Sequence, residues 1–305
     1  MPMLRTHFSD QFFFRLPYMR MMSFEEYGEP DSMFAKVFNV HGSDRMREQD
    51  TGITGFGLAG LIPEGESVTY DILLEEYDKT YTHSKYGTGY QISEETLEDD
   101  MDGKMRQGSR ALGRAMRTTK NITVWQVWNT AFAAGAGQTG ETTPDGVSVF
   151  NNAHPLKEGG TFDNLVESDF GITPLETVLN IFHDMRDQRN NPIEIEPGLL
   201  LHPPELLWVV SEVLGSPDKP DTANRSINPV HGYLSPVMSK WLTDPDTWFV
   251  GAAPNGYVGP NLFNRRELRI EADVDFDTGN GKTKATHRHS QGWSTWMGWV
   301  GGQGQ

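Results

Sequence analysis

The stretch from Ser93 to Phe132, SEETLEDDMDGKMRQGSRALGRAMRTTKNITVWQVWNTAF, carries the longest helical pattern in the chain and sets the scale of what it folds into. Ser93 is placed as an N-cap, with Glu94, Glu95, Glu98, Asp99, Asp100 and Asp102 at the start, and Lys104, Arg106, Arg110, Arg114, Arg117 and Lys120 following. That order of charge suits a helix dipole. At 100° per residue, Leu97, Met101, Met105, Leu112 and Met116 share one face, and Arg106, Arg110, Arg114 and Arg117 share the other. Unbroken, the helix runs about 60 Å. Gly103, Gly108 and Gly113 each cost ~1 kcal/mol against alanine, so they mark places for a kink.

A chain of 305 residues can bury a sizeable core. It has no cysteine, which excludes disulfides, thiolate catalysis and cysteine-ligated zinc. Its net charge of −16 is spread evenly, with 14 basic and 22 acidic residues up to Phe150 and 12 and 20 beyond. Tight, sequence-reading contact with nucleic acid needs clustered Lys and Arg, so this balance argues against it, although not against a container for DNA. No run approaches the ~18 apolar residues of a membrane span, and no signal peptide is visible. The sequons at Asn121 and Asn224 are read as chance matches.

Met1 to Glu48 mixes aromatic, Met, Pro and charged residues without sustained periodicity. It is too apolar for a solvated tail and is expected to lie, irregular, against its own body or a neighbour's. Thr51 to Gly89 reads as an extended hairpin with strands at Ser67–Asp71 and Lys79–His83. The acids from Asp71 to Asp78 resist a dry core, so the hairpin either reaches for a partner or lies as a surface ribbon. Ala133 to Asp169 is loop-like. At Thr173 a capping box (Thr173, Pro174, Glu176) opens a helix whose stripe is Leu175, Val178, Leu179, Phe182 and Met185.

Gly198–His202 reads as a strand, followed at Pro203-Pro204 by a helix ending near Gly215. Tyr233–Leu242 and Trp248–Ala252 resemble strands around TDPD. Glu267–Phe276 alternates, DTGNG turns, Lys282–His289 returns, and Gly292–Val300 adds three tryptophans and a further strand. The class is α+β.

Chemistry is sparse. There is no HExxH, GxSxG or GxxxxGK[ST]. His287 and His289 share a strand face but lack a third ligand at a convincing spacing. His154 in NNAHP has no nucleophile at a recognisable spacing, and stabilising a turn is the favoured role. Asp99 and Asp100 are favoured as a solvated helix cap over a cation site. The arginine stripe either contacts phosphate or pairs with acids within or between subunits, and pairing is favoured. No catalytic, cofactor-binding or metal-ligating residue is assigned. A soluble α+β hydrolase or metal-binding enzyme built on His154, His287 or His289 is the competing reading.

The passages KVFNVHGSDRMREQDTGITGFGLAGLIPEGESVTYD and YDKTYTHSKYGTGYQISEETLEDDMDGKM resemble the major capsid proteins of tailed bacteriophages, with the Mu-like major head subunit family the best match. VFNNAHPLKEGGTFDNL and GLLLHPPELLWVVSEVL are similar to the same family's central loop and its strand followed by PPEL. The resemblance implies a Hong Kong 97-type capsid fold. It implies an N-terminal arm at 1–48, an extended loop at 49–92, a peripheral domain with the spine helix at 93–168, an axial domain at 169–264 and return strands at 265–305.

It further implies a non-enzymatic structural protein of the virion that self-assembles as hexamers and pentamers, in the host cytoplasm, into an icosahedral shell around double-stranded DNA. Portal and scaffolding or protease partners, a possible decoration protein and weak non-specific contact with packaged DNA go with that reading. A shell-forming compartment that houses cargo enzymes is the related alternative. Phe56, Leu58, Leu61, Ile62, Glu64 and Glu66 would be the extended-loop contacts, and Arg106, Arg110, Arg114 and Arg117 would face a neighbour or the genome. No long charged scaffolding helix precedes the arm, so scaffolding is expected from a separate protein or a trimmed segment. Lys79 and Lys85 have no identifiable Asn partner for a covalent cross-link.

Overall fold

The computed structural model describes residues 6–28, 33–68, 70–73, 75–93, 95–96, 102–132, 141–219, 226–255, 258–275 and 277–304. Leu97 and Met101 of the expected apolar face, and Glu94, Glu98, Asp99 and Asp100, lie outside the described residues.

The chain opens with helix α1 (Thr6–Tyr27), a correction to the irregular arm expected there. Its apolar residues are spread around the helix, and Pro17 lies inside it, so the sequence shows no period. Tertiary packing supplies what propensity lacks: Leu16, Met19, Met22 and Ser23 are buried. A short helix α2 (Phe34–Val37) leads to β1 (Asn39–Gly42) and β2 (Arg47–Ile53). β3 (Glu75–Thr82) and β4 (Ser84–Ile92) follow. Ser93 Oγ then accepts the Thr96 amide at 3.2 Å, the bond expected of an N-cap. The spine helix α3 runs over Asp102–Asn129.

The long segment after it is mostly irregular, with two-residue strands β5 (His154–Pro155), β6 (Thr161–Phe162) and β7 (Leu165–Val166). Helix α4 (Ile172–His183) begins one residue before the expected cap: Gly171 is the N-cap residue and no side chain caps it, so the Thr173 box does not form. Its stripe does form, with Leu175, Val178 and Phe182 buried. β8 (Leu199–His202), a 3₁₀ turn at Pro204–Leu206 and α5 (Leu207–Gly215) match the strand-turn-helix expectation. β9 (Ser235–Met238), β10 (Thr247–Gly251), β11 (Pro260–Val274), β12 (Gly281–Trp293) and β13 (Trp299–Gln303) complete the chain. β11 starts earlier than its alternation predicts, because register shifts around Arg266 interrupt the two-residue period.

Two sheets organise these elements. The first has the order β1-β11-β12-β4, with the long β11–β12 hairpin at its centre. The N-terminal half of α3 lies on it, packing Leu112 and Met116 against Leu268, Ile270 and Ala285. The second has the order β7-β13-β10-β8-β9. Its alternating side chains feed two cores. Phe249, Leu201 and Trp299 face Trp125 and Trp128 from the C-terminal half of α3. Trp248, Val250, Leu200 and Val300 face α4 and α5 through Val178, Phe182, Val210 and Val213. The spine helix therefore bridges both sheets, and all of β10 is buried.

Candidate functional site

β2 and β3 pair from Arg47↔Thr82 to Ile53↔Glu75, and there the ladder stops. Between them the chain forms a long loop, and the described residues of Ser67–Asp71, expected as a strand, are not one, since no second strand lies in register with them. A turn at Pro63–Glu66, closed by the Glu66 amide on Pro63 O at 3.2 Å, reverses its tip, with Gly65 at φ +87°. The loop exposes its apolar side chains: Phe56 by 62%, Leu58 by 85% and Leu61 by 97%, with Ile62, Val68 and Tyr70 also exposed. Glu64 and Glu66 are exposed beside them. Monomeric soluble proteins rarely leave such a concentration of apolar surface uncovered.

The base of the loop is held by a residue the sequence reading did not single out. Arg189 is buried, yet its Nη1 donates to Asp71 Oδ2 at 2.7 Å and its Nε to Thr54 Oγ1 at 3.3 Å. The Gly57 amide and then Arg189 hold the Asp71 carboxyl below its ordinary pKa. No spacing in the sequence links positions so far apart.

The arginine stripe lies along α3 beside α1. Arg106 sits over the Tyr18 ring at 5.5 Å, and Arg110 Nε and Arg114 Nη1 each lie 3.9 Å from Glu26 Oε1. Arg106, Arg110 and Arg114 remain exposed, and Arg117 is half-buried.

The histidines are built into the core. His154 is fully buried, with Nδ1 2.7 Å from Asp145 Oδ2 and Nε2 3.2 Å from Val149 O and 3.1 Å from Asn164 Oδ1. Its ring stacks on Trp296 at 4.7 Å. The Asp–His pair resembles half of a catalytic triad, but Nε2, the atom that would activate a nucleophile, is engaged by a main-chain carbonyl and an amide oxygen. It pins the 145–164 segment.

His287 and His289 do share a face of β12, with ring centroids 5.0 Å apart. Burial, and then Lys120, push His287 down to about 4; burial, then His287, Lys120 and His83, push His289 down to about 3. An ammonium group beside two imidazoles repels a second cation. Among the described residues no three metal-ligating side chains converge, and no helix is long and apolar enough to cross a membrane.

Comparison with known proteins bears on what an uncovered lobe and a two-sheet body with a spine helix serve. The fold is similar to the capsid of bacteriophage JBD30, at 14% identity and TM-score 0.55 over 71% of this chain and 92% of that one. It is also similar to a chain of Mycobacterium phage Patience, at 14% identity and TM-score 0.55 over 99% and 88%. The capsid of Ralstonia phage GP4 aligns at 9% identity and TM-score 0.58 over 88% and 87%. No curated protein sequence matches the chain. The phage capsid protein family matches residues 76–301, from β3 to the middle of β13. The chain has the Hong Kong 97-like capsid fold and belongs to the phage capsid protein family, as a structural major capsid protein.

Proposed function

We infer that the chain is a Mu-like major head subunit whose copies join through quasi-equivalent contacts, as hexamers and pentamers, into an icosahedral shell around a double-stranded DNA genome. The shell forms in the host cytoplasm and makes no chemical change to its contents. The observation that carries this reading is the loop between β2 and β3: Phe56, Leu58, Leu61 and Ile62 are exposed beyond the last pair of a stem that packs on its own subunit through Tyr81, so a second copy is the natural cover of the lobe itself. Glu64 and Glu66 flank that contact.

The division into an arm (1–48), an extended loop (49–92), a peripheral domain (93–168 with 265–305) and an axial domain (169–264) belongs to the same reading. So do a portal and a scaffolding or protease partner. The JBD30 capsid is described as decorated with minor capsid protein trimers, and a decoration protein on this shell is part of the proposal. The net charge of −16 keeps DNA contact weak and salt-dependent, with the exposed faces of Arg106, Arg110, Arg114 and Arg117 as the candidate touch points.

Electron microscopy of the subunit, expressed alone or with its scaffold, tests the reading. Shells, rings or tubes are expected, and a small closed oligomer would overturn it. Deleting Leu58–Ser67 spares Thr54, Gly57, Asp71 and Ile72 at the loop base. That variant is expected to fold and to lose assembly, whereas loss of folding would mean that the lobe serves its own subunit.

A further inference from the structure

Arg189 lies 118 and 135 residues from the loop residues it binds. Its position is set by a tight turn. Asp187 N donates to Asn191 O at 2.9 Å, Asn190 N to Asp187 O at 3.0 Å, and Asp187 Oδ1 accepts the amides of Arg189 and Asn191 at 2.8 Å each. Asn190 takes φ +62°, a conformation that asparagine tolerates better than most residues. The turn is therefore rigid, and it delivers one guanidinium into the gap where the β2–β3 ladder ends at Ile53↔Glu75.

Each of the three guanidinium nitrogens finds an acceptor there. Nε reaches Thr54 on the outgoing leg, Nη1 reaches Asp71 on the return leg, and Nη2 donates to Ile72 O. Asp71 in turn accepts the Gly57 amide at 2.7 Å. A Cβ on Gly57 would lie 3.3 Å from Asp71 Oδ2 and 3.5 Å from Arg189 Nη1, so the outgoing backbone rests directly on the pair. Glu158, from the β5–β6 hairpin, adds a carboxylate 3.5 Å from Nη1. That hairpin is itself tied to the Arg189 turn by Glu158 N on Gln188 O at 3.3 Å, and to β3 by Lys157 over the Tyr77 ring at 3.7 Å. The apolar lobe begins immediately beyond this junction.

We propose that Arg189 is the positioning residue of the extended loop: its fork clamps both legs of the loop onto the subunit's own 154–162 hairpin and so sets the direction in which the apolar lobe projects. A planar guanidinium can hold a carboxylate, a carbonyl and a hydroxyl in fixed directions at once; an ammonium cannot. The consequence for assembly rests on the capsid reading above, while the clamp itself does not.

Amide hydrogen exchange on the unassembled subunit tests the clamp. Arg189→Ala and Arg189→Lys are each expected to speed exchange in 54–73 by about tenfold or more, the loss of at least one charge-assisted hydrogen bond, with β10 and α3 unchanged. Asp71→Asn, at an exposed position, is expected to act in the same direction and serves if the arginine variants fold poorly. Unaltered exchange at 54–73 in Asp71→Asn and in whichever arginine variants fold overturns the proposal. In parallel, wild type is expected to form shells and Arg189→Lys to form them more slowly. Equal yields and equal particle shape from the two would also overturn it. Failure of the wild type to assemble would count against the capsid reading alone, and the exchange data would still decide the clamp.

Discussion

Gly113 in the spine helix lies directly beneath the main-chain carbonyl of Ser23 in α1: a Cβ at Gly113 would sit 2.4 Å from that oxygen and 3.0 Å from Glu26 Cβ. Ser23 Oγ meanwhile donates to Ser109 O at 2.8 Å, one turn away on the same helix. The two helices thus cross at a glycine. Helix propensity alone favours Gly113→Ala by ~1 kcal/mol, but the backbone oxygen cannot rotate away as a side chain would. Overpacking of this kind costs ~1–3 kcal/mol, so the clash wins. Gly113→Ala is expected to lower thermal stability, while Gly103→Ala, with no described atom within 4 Å, is expected to raise it by up to about 1 kcal/mol. A stabilised Gly113→Ala would mean that α1 does not dock on α3 in solution.

Acid should loosen the β1-β11-β12-β4 sheet through His287 and His289. His289 Nε2 lies 3.1 Å from Thr123 Oγ1, whose hydroxyl donates to Thr119 O, so the ring is the donor and its other nitrogen is bare of a proton. With folded pKa values of about 4 and about 3, both rings prefer the neutral form in the fold, while the unfolded chain takes up protons near pH 6.5. The unfolded state then binds more protons throughout the window between. Stability from this pair is complete above about pH 6.5 and drains as pH falls towards 4, at up to ~1.4 kcal/mol per pH unit per histidine. His289→Gln, which keeps a neutral donor for Thr123, is expected to flatten the melting-temperature profile over pH 4–6.5. Parallel profiles for variant and wild type would exclude this source of acid sensitivity.

Which parts of this architecture the sequence disclosed follows from the range of the interactions involved. Leu268 and Ile270 alternate with charged neighbours and do face α3, and Met105, Leu112 and Met116 are buried as the helical stripe requires. Those signals are local. The helix α1 has no apolar stripe in its sequence, yet Leu16, Met19 and Met22 are buried and Ser23 bonds Ser109 of α3. Strand β2, REQDTGI, is largely exposed on both faces and shows no apolar alternation, whereas Ser67–Asp71 has strand-like composition but lies past the last ladder pair. Pairing, and not propensity, decided both. The lobe at Phe56–Ile62 entered only through the family resemblance, and its anchor not at all: Arg189 looks like any charged turn residue until the fold carries it to Asp71.

The arginine stripe should contribute little to folding. Arg110 and Arg114 share one carboxylate at 3.9 Å, at the outer limit of an ion pair, and about half of each side chain is in solvent. Exposed pairs of this geometry are worth about 0–1 kcal/mol. Glu26→Gln is expected to cost less than about 1 kcal/mol in low salt and nothing measurable in ~1 M salt, where the Debye length is near 3 Å. Chemical denaturation with urea at the two salt concentrations reads this directly. A larger or salt-independent loss would show that α1 depends on the stripe.

Two tryptophans separate folding from assembly. Trp128 is fully buried and meets Phe249, Trp293 and Trp299 edge-on, with centroids 4.9, 4.8 and 4.7 Å away, at the point where the spine helix joins the second sheet. Removing it leaves a cavity lined by rings that cannot collapse without moving β10, and Trp128→Ala is expected to cost ~3–5 kcal/mol and to yield insoluble or unfolded subunit. Trp208, on the first turn of α5, is 79% exposed and has no such partners among the described residues. Its truncation should change subunit stability by no more than ~0.5 kcal/mol. In a shell subunit an exposed indole on a helix is a natural anchor for the adjacent copy, since tryptophan dominates the binding energy of many interfaces. Trp208→Ala is therefore expected to melt like wild type but to raise the subunit concentration needed for assembly by tenfold or more, about 1.4 kcal/mol per contact. Light scattering across a concentration series measures that threshold, and an unchanged threshold would place Trp208 on a face that no neighbouring subunit covers.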